Sequence, residues 1–310
     1  MHSLQTWAAA HKEKLLVLFV LSIFLGCSIV LQGYSIVQVV NLVFIEQETF
    51  SSTFAFLFLL VVAILLRLFT QFSMNRIGGT LAERVKISVR QTLLQHWTQN
   101  AMEAQMTTQT GEKVTLLIDT VDQLESYYRE YIPQIIKTTV VPLIILIAVF
   151  MTHTTSGWIM LVTVPFIPIT YIIIGMQTQK KSEEQLVAMN KFSGKFLDLL
   201  QGLQTIRLFG QSKKQEQVLE ASNKGFMERT LSVLKIAFAS TLFIEFITTL
   251  GVGLVALEIG FKMIVFETLA FAPAFFVLTM APEFYNSLKE LGAAFHTGRG
   301  SLGAVAIIEE

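Results

Sequence analysis

The chain has 310 residues, of which 53% are hydrophobic and only 15% are charged, and its mean hydropathy is +0.58. Soluble domains carry about 25% charged residues, so this composition excludes an ordinary soluble protein and a disordered chain. Basic and acidic residues balance at 23 each, which excludes a basic nucleic-acid binder, and the single cysteine, Cys27, excludes a disulfide framework or a cysteine-rich metal site. A polytopic helical membrane protein remains.

Six segments are apolar and long enough to cross a membrane as helices, which takes about 20 residues each. In chain order they are residues 15–45, residues 54–71 with Arg67 inside, the two halves of the uncharged run 138–179 on either side of the turn 153–157, residues 236–259 and residues 269–288. The run 15–45 is too long for the apolar part of a cleaved signal peptide. Residues 1–14 are predicted to form a short interfacial helix, and a frayed tail is the alternative.

The placement of basic residues predicts the orientation of these spans. With the N-terminus inside, 21 of the 23 Lys and Arg residues fall on the inner side or at inner helix ends. Cytoplasmic segments of membrane proteins are enriched in Lys and Arg, so both termini are expected in the cytoplasm. The outer connections are short. The two inner connections, residues 76–130 and 180–234, are long, contain no proline and read as helical stalks that project roughly 40 Å from the membrane.

Two motifs, one in each stalk, resemble the type-1 ABC exporter family. Thr110-Gly111-Glu112-Lys113-Val114 with the following Asp119-Thr120-Val121-Asp122 matches the family's first stalk motif, and Leu199-Leu200-Gln201-Gly202-Leu203-Gln204-Thr205-Ile206-Arg207 matches the second. In that family these segments carry coupling helices that contact nucleotide-binding domains. The resemblance therefore implies an all-α, six-span fold with two cytoplasmic stalks and assigns coupling to seven residues: Gly111, Glu112, Lys113, Gln201, Gly202, Leu203 and Gln204.

A third segment narrows the resemblance. Ala281-Pro282-Glu283-Phe284-Tyr285 and the following Leu291-Gly292-Ala293-Ala294-Phe295-His296 are similar to the last span of one subunit of the heterodimeric thiol-exporting ABC transporters that cytochrome bd assembly requires. The resemblance implies export of cysteine or glutathione, with haem as the rival cargo. It also implies a second, related subunit as partner and a bacterial plasma membrane location. A type-1 exporter of peptide, lipid or drug, and a membrane scaffold for the oxidase, are the alternatives.

The motifs of an ATPase are missing from the sequence. There is no G-x-x-x-x-G-K-[ST] segment and no ABC signature, so the chain is not expected to hydrolyse ATP by itself. We expect residues 15–290 to be the transmembrane domain and residues 291–310 to begin a linker to a nucleotide-binding domain. No cofactor is expected in this chain; ATP and Mg²⁺ would bind the absent nucleotide-binding domains.

Charges inside the spans are the candidate cargo site, because an ionised group near the bilayer centre costs roughly 2.5–3.5 kcal/mol and is usually kept for a purpose. Counted from the inner ends of their helices, Arg67 and Glu245 lie about 13–15 Å deep and Glu283 about 9 Å deep. We predict that these three residues line one polar cavity in which Arg67 binds an anionic group and Glu245 balances its charge. A structural Arg–Glu pair is the alternative.

Histidines and tyrosines predict function less specifically than the charged residues inside the spans. His296, just past the last span, is a possible haem ligand, although a hydrogen-bonding surface histidine is the plainer interpretation. His153 is predicted to be solvated in an outer turn. Tyr127, Tyr128 and Tyr131 are predicted to form an aromatic belt at the membrane surface.

Overall fold

The computed structural model describes residues 12–47, 50–99, 114 and 116–309. These residues form helices and connecting turns, and the described part of the chain contains no β-strand. The eight α-helices used below are α1 (Lys12–Val40), α2 (Phe50–Gln99), α3 (Ile132–Thr152), α4 (Thr154–Thr163), α5 (Phe166–Gln201), α6 (Leu203–Leu208), α7 (Ser212–Gly260) and α8 (Phe271–Glu309). Four π-helical turns accompany them: Asn41–Ile45, Leu116–Thr120, Tyr127–Tyr131 and Phe261–Val265.

The prediction of an all-α membrane protein is confirmed. Among the described residues, four helical segments are long and apolar enough to span a bilayer: Lys12–Ile45, Ser52–Gln99, Tyr127–Thr152 and Ser212–Val265. The other two predicted spans are helical as well, as α4 followed by α5, and as α8. Helices α2 and α7 contain 50 and 49 residues, so each runs far beyond the ~20 residues that a bilayer requires.

The chain divides into two compact units, residues 1–164 with 248–310, and residues 165–247. In the first unit, α1 packs closely on α3 and α8 through small residues. A Cβ atom on Gly26 would lie 2.7 Å from Ile144 Cδ1, and one on Gly33 would lie 2.1 Å from Met280 Cε. Small residues of this kind let membrane helices approach each other, and here they bring α1 against α8.

The buried serines of α1 satisfy their hydroxyl groups within the helix itself. Ser22 and Ser28 donate hydrogen bonds to the carbonyl oxygens of Leu18 and Leu25, at 2.8 and 2.7 Å. A polar side chain that bonds to the preceding turn can be buried among apolar neighbours at little cost.

The first unit has a separate apolar core where α2, the end of α8 and the segment before α3 meet. Tyr127 and Tyr128 pack with Leu124, with α2 and with Val305 near the end of α8. Tyr128 is completely buried and Tyr127 is 5% exposed. The predicted aromatic belt at the membrane surface is therefore wrong for these two residues, which fill the contact between α2 and the chain leading into α3.

The second unit contains α5, α6 and the first part of α7. Helices α5 and α7 contact each other through stacked rings of Phe192 and Phe226, whose centroids lie 6.0 Å apart, and through a hydrogen bond of 3.1 Å from Gln185 to Thr230. The short helix α6 lies at the reversal between them. This arrangement is the helical hairpin that the second predicted stalk requires.

Candidate functional site in the membrane helices

The central polar group of the first unit is an ion pair between α2 and α8. Arg67 donates two hydrogen bonds to the carboxylate of Glu283, from Nη1 to Oε1 at 2.9 Å and from Nη2 to Oε2 at 3.0 Å. Its Nη1 also donates to Oε1 of Gln32, on α1, at 3.0 Å. The fork geometry is the strongest arrangement available to an arginine and a carboxylate. Three different helices thus meet at one guanidinium.

Helix geometry explains why Glu283, and not its neighbour Tyr285, reaches Arg67. Residues two apart on a helix point in nearly opposite directions. Tyr285 is buried on the other side of α8, where its hydroxyl lies 2.7 Å from Thr163 Oγ1 of α4 and its ring packs on Gly251 of α7. The large buried tyrosine therefore fixes the rotation of α8 and presents Glu283 to α2.

The pair is partly exposed. The side chains of Arg67 and Glu283 keep 33% and 31% of their surface exposed. The three hydrogen bonds occupy three of the five N–H donors of a guanidinium, so two donors have no recorded acceptor among the described residues. A carboxylate entering this site could bind Arg67 beside Glu283 or displace it.

Two of the three predicted cavity residues are therefore brought together, with a change of roles. The carboxylate that balances Arg67 in the structure is Glu283, whereas that role was predicted for Glu245. Glu245 lies on α7 within the unit 165–247 and remains a predicted cavity residue. Gln32 was not predicted; the available signal was a long amide side chain inside the uncharged run 15–45.

The side chain of the predicted haem ligand and the whole first coupling motif lie outside the described residues. His296 lies on the helical backbone of α8, but its side chain is outside the described part, so ligation stays a prediction. Gly111, Glu112 and Lys113 lie outside the described residues altogether.

The second coupling motif lies at an exposed helix reversal. Gln201 ends α5, Leu203 and Gln204 begin α6, and all three side chains are exposed. Gly202 between them has φ −87° and ψ 5°, a conformation open to any residue. The residue with the left-handed backbone is Gly210, with φ +65°. An exposed six-residue helix at the tip of a hairpin is a suitable contact for another domain, and coupling stays a prediction.

A polar clamp ties the second half of α2 to the segment before α3. Lys86 donates to Asp122 Oδ1 at 3.0 Å and to Glu125 Oε2 at 2.7 Å. These hydrogen bonds from the Lys86 ammonium hold the pKa of both carboxyl groups below its ordinary value. The clamp stabilises the contact beside the tyrosine core, and its residues are placed for packing rather than for a ligand.

A comparison with protein families decides the class of this fold. Residues 15–287 match the model of the ABC transporter transmembrane region. The chain belongs to this family. The expectation raised by the stalk motifs is thereby confirmed, and the helices described above are those of an ABC transmembrane domain.

Within this family, the chain is similar to proteins of glutathione/L-cysteine transport systems. The chain is 28% identical over 286 residues to the glutathione/L-cysteine transport system ATP-binding/permease protein CydD of Escherichia coli, covering 90% of this chain and 49% of the relative. It is 29% identical over 321 residues to CydD of Haemophilus influenzae, covering 98% of this chain and 54% of the relative. It is also 30% identical over 201 residues to CydC of Bacillus subtilis, covering 65% of this chain and 35% of the relative.

The matched chain is much shorter than these relatives. This ABC transmembrane domain spans about half the length of the CydD relatives that it matches. Those relatives are named for both an ATP-binding and a permease function.

Proposed function

We propose that this chain is the membrane-spanning part of an ATP-driven exporter that moves cysteine- or glutathione-type thiols out of the cytoplasm. Membership of the ABC transmembrane family and the names of the CydD and CydC relatives support the proposal. The domain would work with a second, related subunit, and nucleotide-binding domains would supply ATP hydrolysis. Both termini would face the cytoplasm of a bacterial cell, as the basic-residue asymmetry indicates.

The Arg67–Glu283–Gln32 group is the observation that carries the choice of cargo. A cation and a carboxylate held side by side, each about one-third exposed, offer complementary contacts to a zwitterion. Cysteine and glutathione each carry carboxylate and ammonium groups. A cargo carboxylate would bind the Arg67 guanidinium, and the cargo ammonium would bind the carboxylate of Glu283.

The same group makes haem a distinguishable rival. Haem carries two propionate carboxylates but no ammonium, so it would use Arg67 without needing a carboxylate from the protein. It would need an axial ligand instead, and His296 is the predicted one. The two cargoes therefore depend on different residues of one domain.

The test is cargo-stimulated ATP hydrolysis by the full-length transporter, assembled with its partner subunit in nanodiscs. We would compare Arg67→Gln, Glu283→Gln, Glu245→Gln and His296→Ala. A thiol exporter predicts that the first two variants lose stimulation by glutathione while His296→Ala keeps it. Stimulation by haem that is lost in Arg67→Gln and His296→Ala, but kept in both glutamate variants, would establish haem instead.

A matched control separates binding from general damage to the helix. Glu290 lies two turns beyond Glu283 on α8 and accepts a hydrogen bond of 2.6 Å from Lys137 of α3. Glu290→Gln removes an ion pair between the same helix and a neighbour, at a position that touches none of the Arg67 group. This variant should keep its affinity for cargo. An equal loss in Glu290→Gln and Glu283→Gln would contradict a cargo site at Arg67.

A further inference from the structure

A second polar cluster lies at the turn between α3 and α4, at the opposite end of these helices from the stalks. The turn contributes His153, Thr155 and Ser156, and the end of α7 with the following π-helical turn contributes Glu258 and Lys262. His153 was predicted to be solvated, and this is wrong. Its side chain is only 10% exposed, and that of Glu258 is 14% exposed. We name these five residues the outer clamp.

We infer the positions of the protons in the outer clamp from the distances between its donor and acceptor atoms. Lys262 Nζ is 3.2 Å from His153 Nε2, and an ammonium group can only donate, so Nε2 must be an acceptor. A neutral imidazole has one N–H, which is then on Nδ1 and points to Ser156 Oγ at 2.8 Å. The Ser156 amide N–H also points to Nδ1, at 3.4 Å, but this is the longer of the two contacts between Nδ1 and Ser156, so the 2.8 Å contact with Oγ decides the tautomer.

The chain of hydrogen bonds continues from Ser156 to Glu258, which lies next to Lys262. The Ser156 hydroxyl accepts from His153 and donates to Glu258 Oε2 at 2.8 Å. The other oxygen, Oε1, is buried without a hydrogen bond among the described residues and lies 3.4 Å from Lys262 Nζ. Lys262 also donates to Thr155 Oγ1 at 2.7 Å. With neutral His153, the Lys262 ammonium, the Glu258 carboxylate and the hydroxyl groups of Thr155 and Ser156 form one connected group, in which Glu258 Oε1 has only the ion-pair contact with Lys262.

Protonation of His153 breaks this order. Imidazolium has an N–H on both nitrogens, so Nε2 can no longer accept from Lys262 and would face it as a like charge at 3.2 Å. Two titratable groups, Glu258 and Lys262, face His153, and both come from the α7 side. Helix α4 contributes the Ser156 hydroxyl. Burial and the Lys262 charge lower the pKa of His153, and Glu258 opposes them, so the neutral form is the folded one.

We propose that the outer clamp is a proton-sensitive latch, in which protonation of His153 releases the α3–α4 turn from the end of α7. The sign follows from the preference for neutral His153. The clamp is complete above the ordinary histidine pKa of about 6.5 and weakens as the pH falls below it. If the predicted orientation is correct, the protons come from the outer solution, and acid there loosens the outer end of the domain. The latch does not depend on which cargo is carried.

Hydrogen–deuterium exchange of the full-length, assembled transporter tests the latch. In nanodiscs both faces of the membrane have one pH, so the experiment does not depend on orientation. Between about pH 7.5 and about pH 5, amides of the α3–α4 turn and of the Glu258–Lys262 segment should lose about tenfold in protection, corrected for intrinsic exchange. Amides of the tyrosine core should not change. Unchanged protection of the clamp over this range would overturn the proposal.

Two variants make the result specific to the clamp. In Lys262→Met the repulsion is gone and Glu258 favours imidazolium, so acid should tighten the turn instead of loosening it. In His153→Gln the titrating group is gone, so the pH response should vanish. If either variant fails to fold, Glu258→Gln is the substitute: it removes the charge that raises the pKa of His153, so loosening of the turn by acid should begin at a lower pH than in the original chain, and loosening at the same pH would contradict the latch. Loosening by acid in Lys262→Met as strong as in the original chain would refute the latch.

Discussion

Replacing Arg67 with glutamine tests whether the pair with Glu283 is an energetic unit. The change removes two charge-assisted hydrogen bonds of 2.9 and 3.0 Å and leaves the carboxylate without its counter-charge. Breaking a fully buried pair costs about 3–5 kcal/mol, whereas a surface pair is worth about 0–1 kcal/mol. Both side chains are about one-third exposed, so we expect an intermediate loss of about 2 kcal/mol for Arg67→Gln.

A double-mutant cycle measures the pair itself. Glu283→Gln should also cost about 2 kcal/mol, but Arg67→Gln with Glu283→Gln should cost much less than the sum, because two amides can bond to each other without a buried charge. The expected coupling is about 1–2 kcal/mol. Reversible unfolding of the domain in detergent micelles supplies the four free energies. Additivity within about 0.5 kcal/mol would refute the ion pair that the structure shows.

Two further predictions concern packing and acid stability. Gly78→Ala should destabilise the domain, because a Cβ there would lie 2.6 Å from a backbone carbonyl oxygen. Gly79→Ala should be neutral or stabilising, because a Cβ there would have nothing within 4 Å. Thermal unfolding compares the two variants, and equal shifts in their midpoints would contradict the prediction. The lowered pKa values of Asp122 and Glu125 add stability that is fully present above the ordinary pKa of these groups, about 4, and is lost as the pH falls below it. Lys86→Met should flatten this acid dependence of unfolding, and an unchanged pH profile would contradict the polar clamp that Lys86 forms with Asp122 and Glu125.

Composition and periodicity predicted the fold well, because few backbone structures can span a membrane. Long uncharged runs must become helices, since every backbone polar group in the bilayer has to be satisfied within its own segment. The same logic predicted the break near His153 and the long helices that run beyond the spans. Motifs then predicted the family, which the match over residues 15–287 confirms.

The site was predicted only in part, for a geometric reason. Counting residues from a helix end gives depth, and depth alone placed Glu245 nearer to Arg67 than Glu283. The direction in which a side chain points depends on helix rotation, which Tyr285 sets on α8 by its contact with Thr163. Sequence periodicity in a helix that is apolar on every face does not reveal this rotation.

Burial of the outer clamp was missed for a related reason. His153 lies in a short turn next to small polar residues, a pattern typical of solvated loops. Its partners, Glu258 and Lys262, are more than 100 positions further along the chain. Contacts at such separation follow from the packing of α7 against the α3–α4 turn and have no local sequence signal.

The central claim is that this domain carries thiols out of the cytoplasm with energy from ATP. Inside-out vesicles that contain the full-length transporter and its partner subunit test it most directly, since export then appears as uptake. We predict that labelled glutathione or cysteine accumulates only when ATP and Mg²⁺ are added, and that Arg67→Gln reduces this uptake while Glu290→Gln does not. Uptake of neither thiol in vesicles whose ATPase is active would contradict the account.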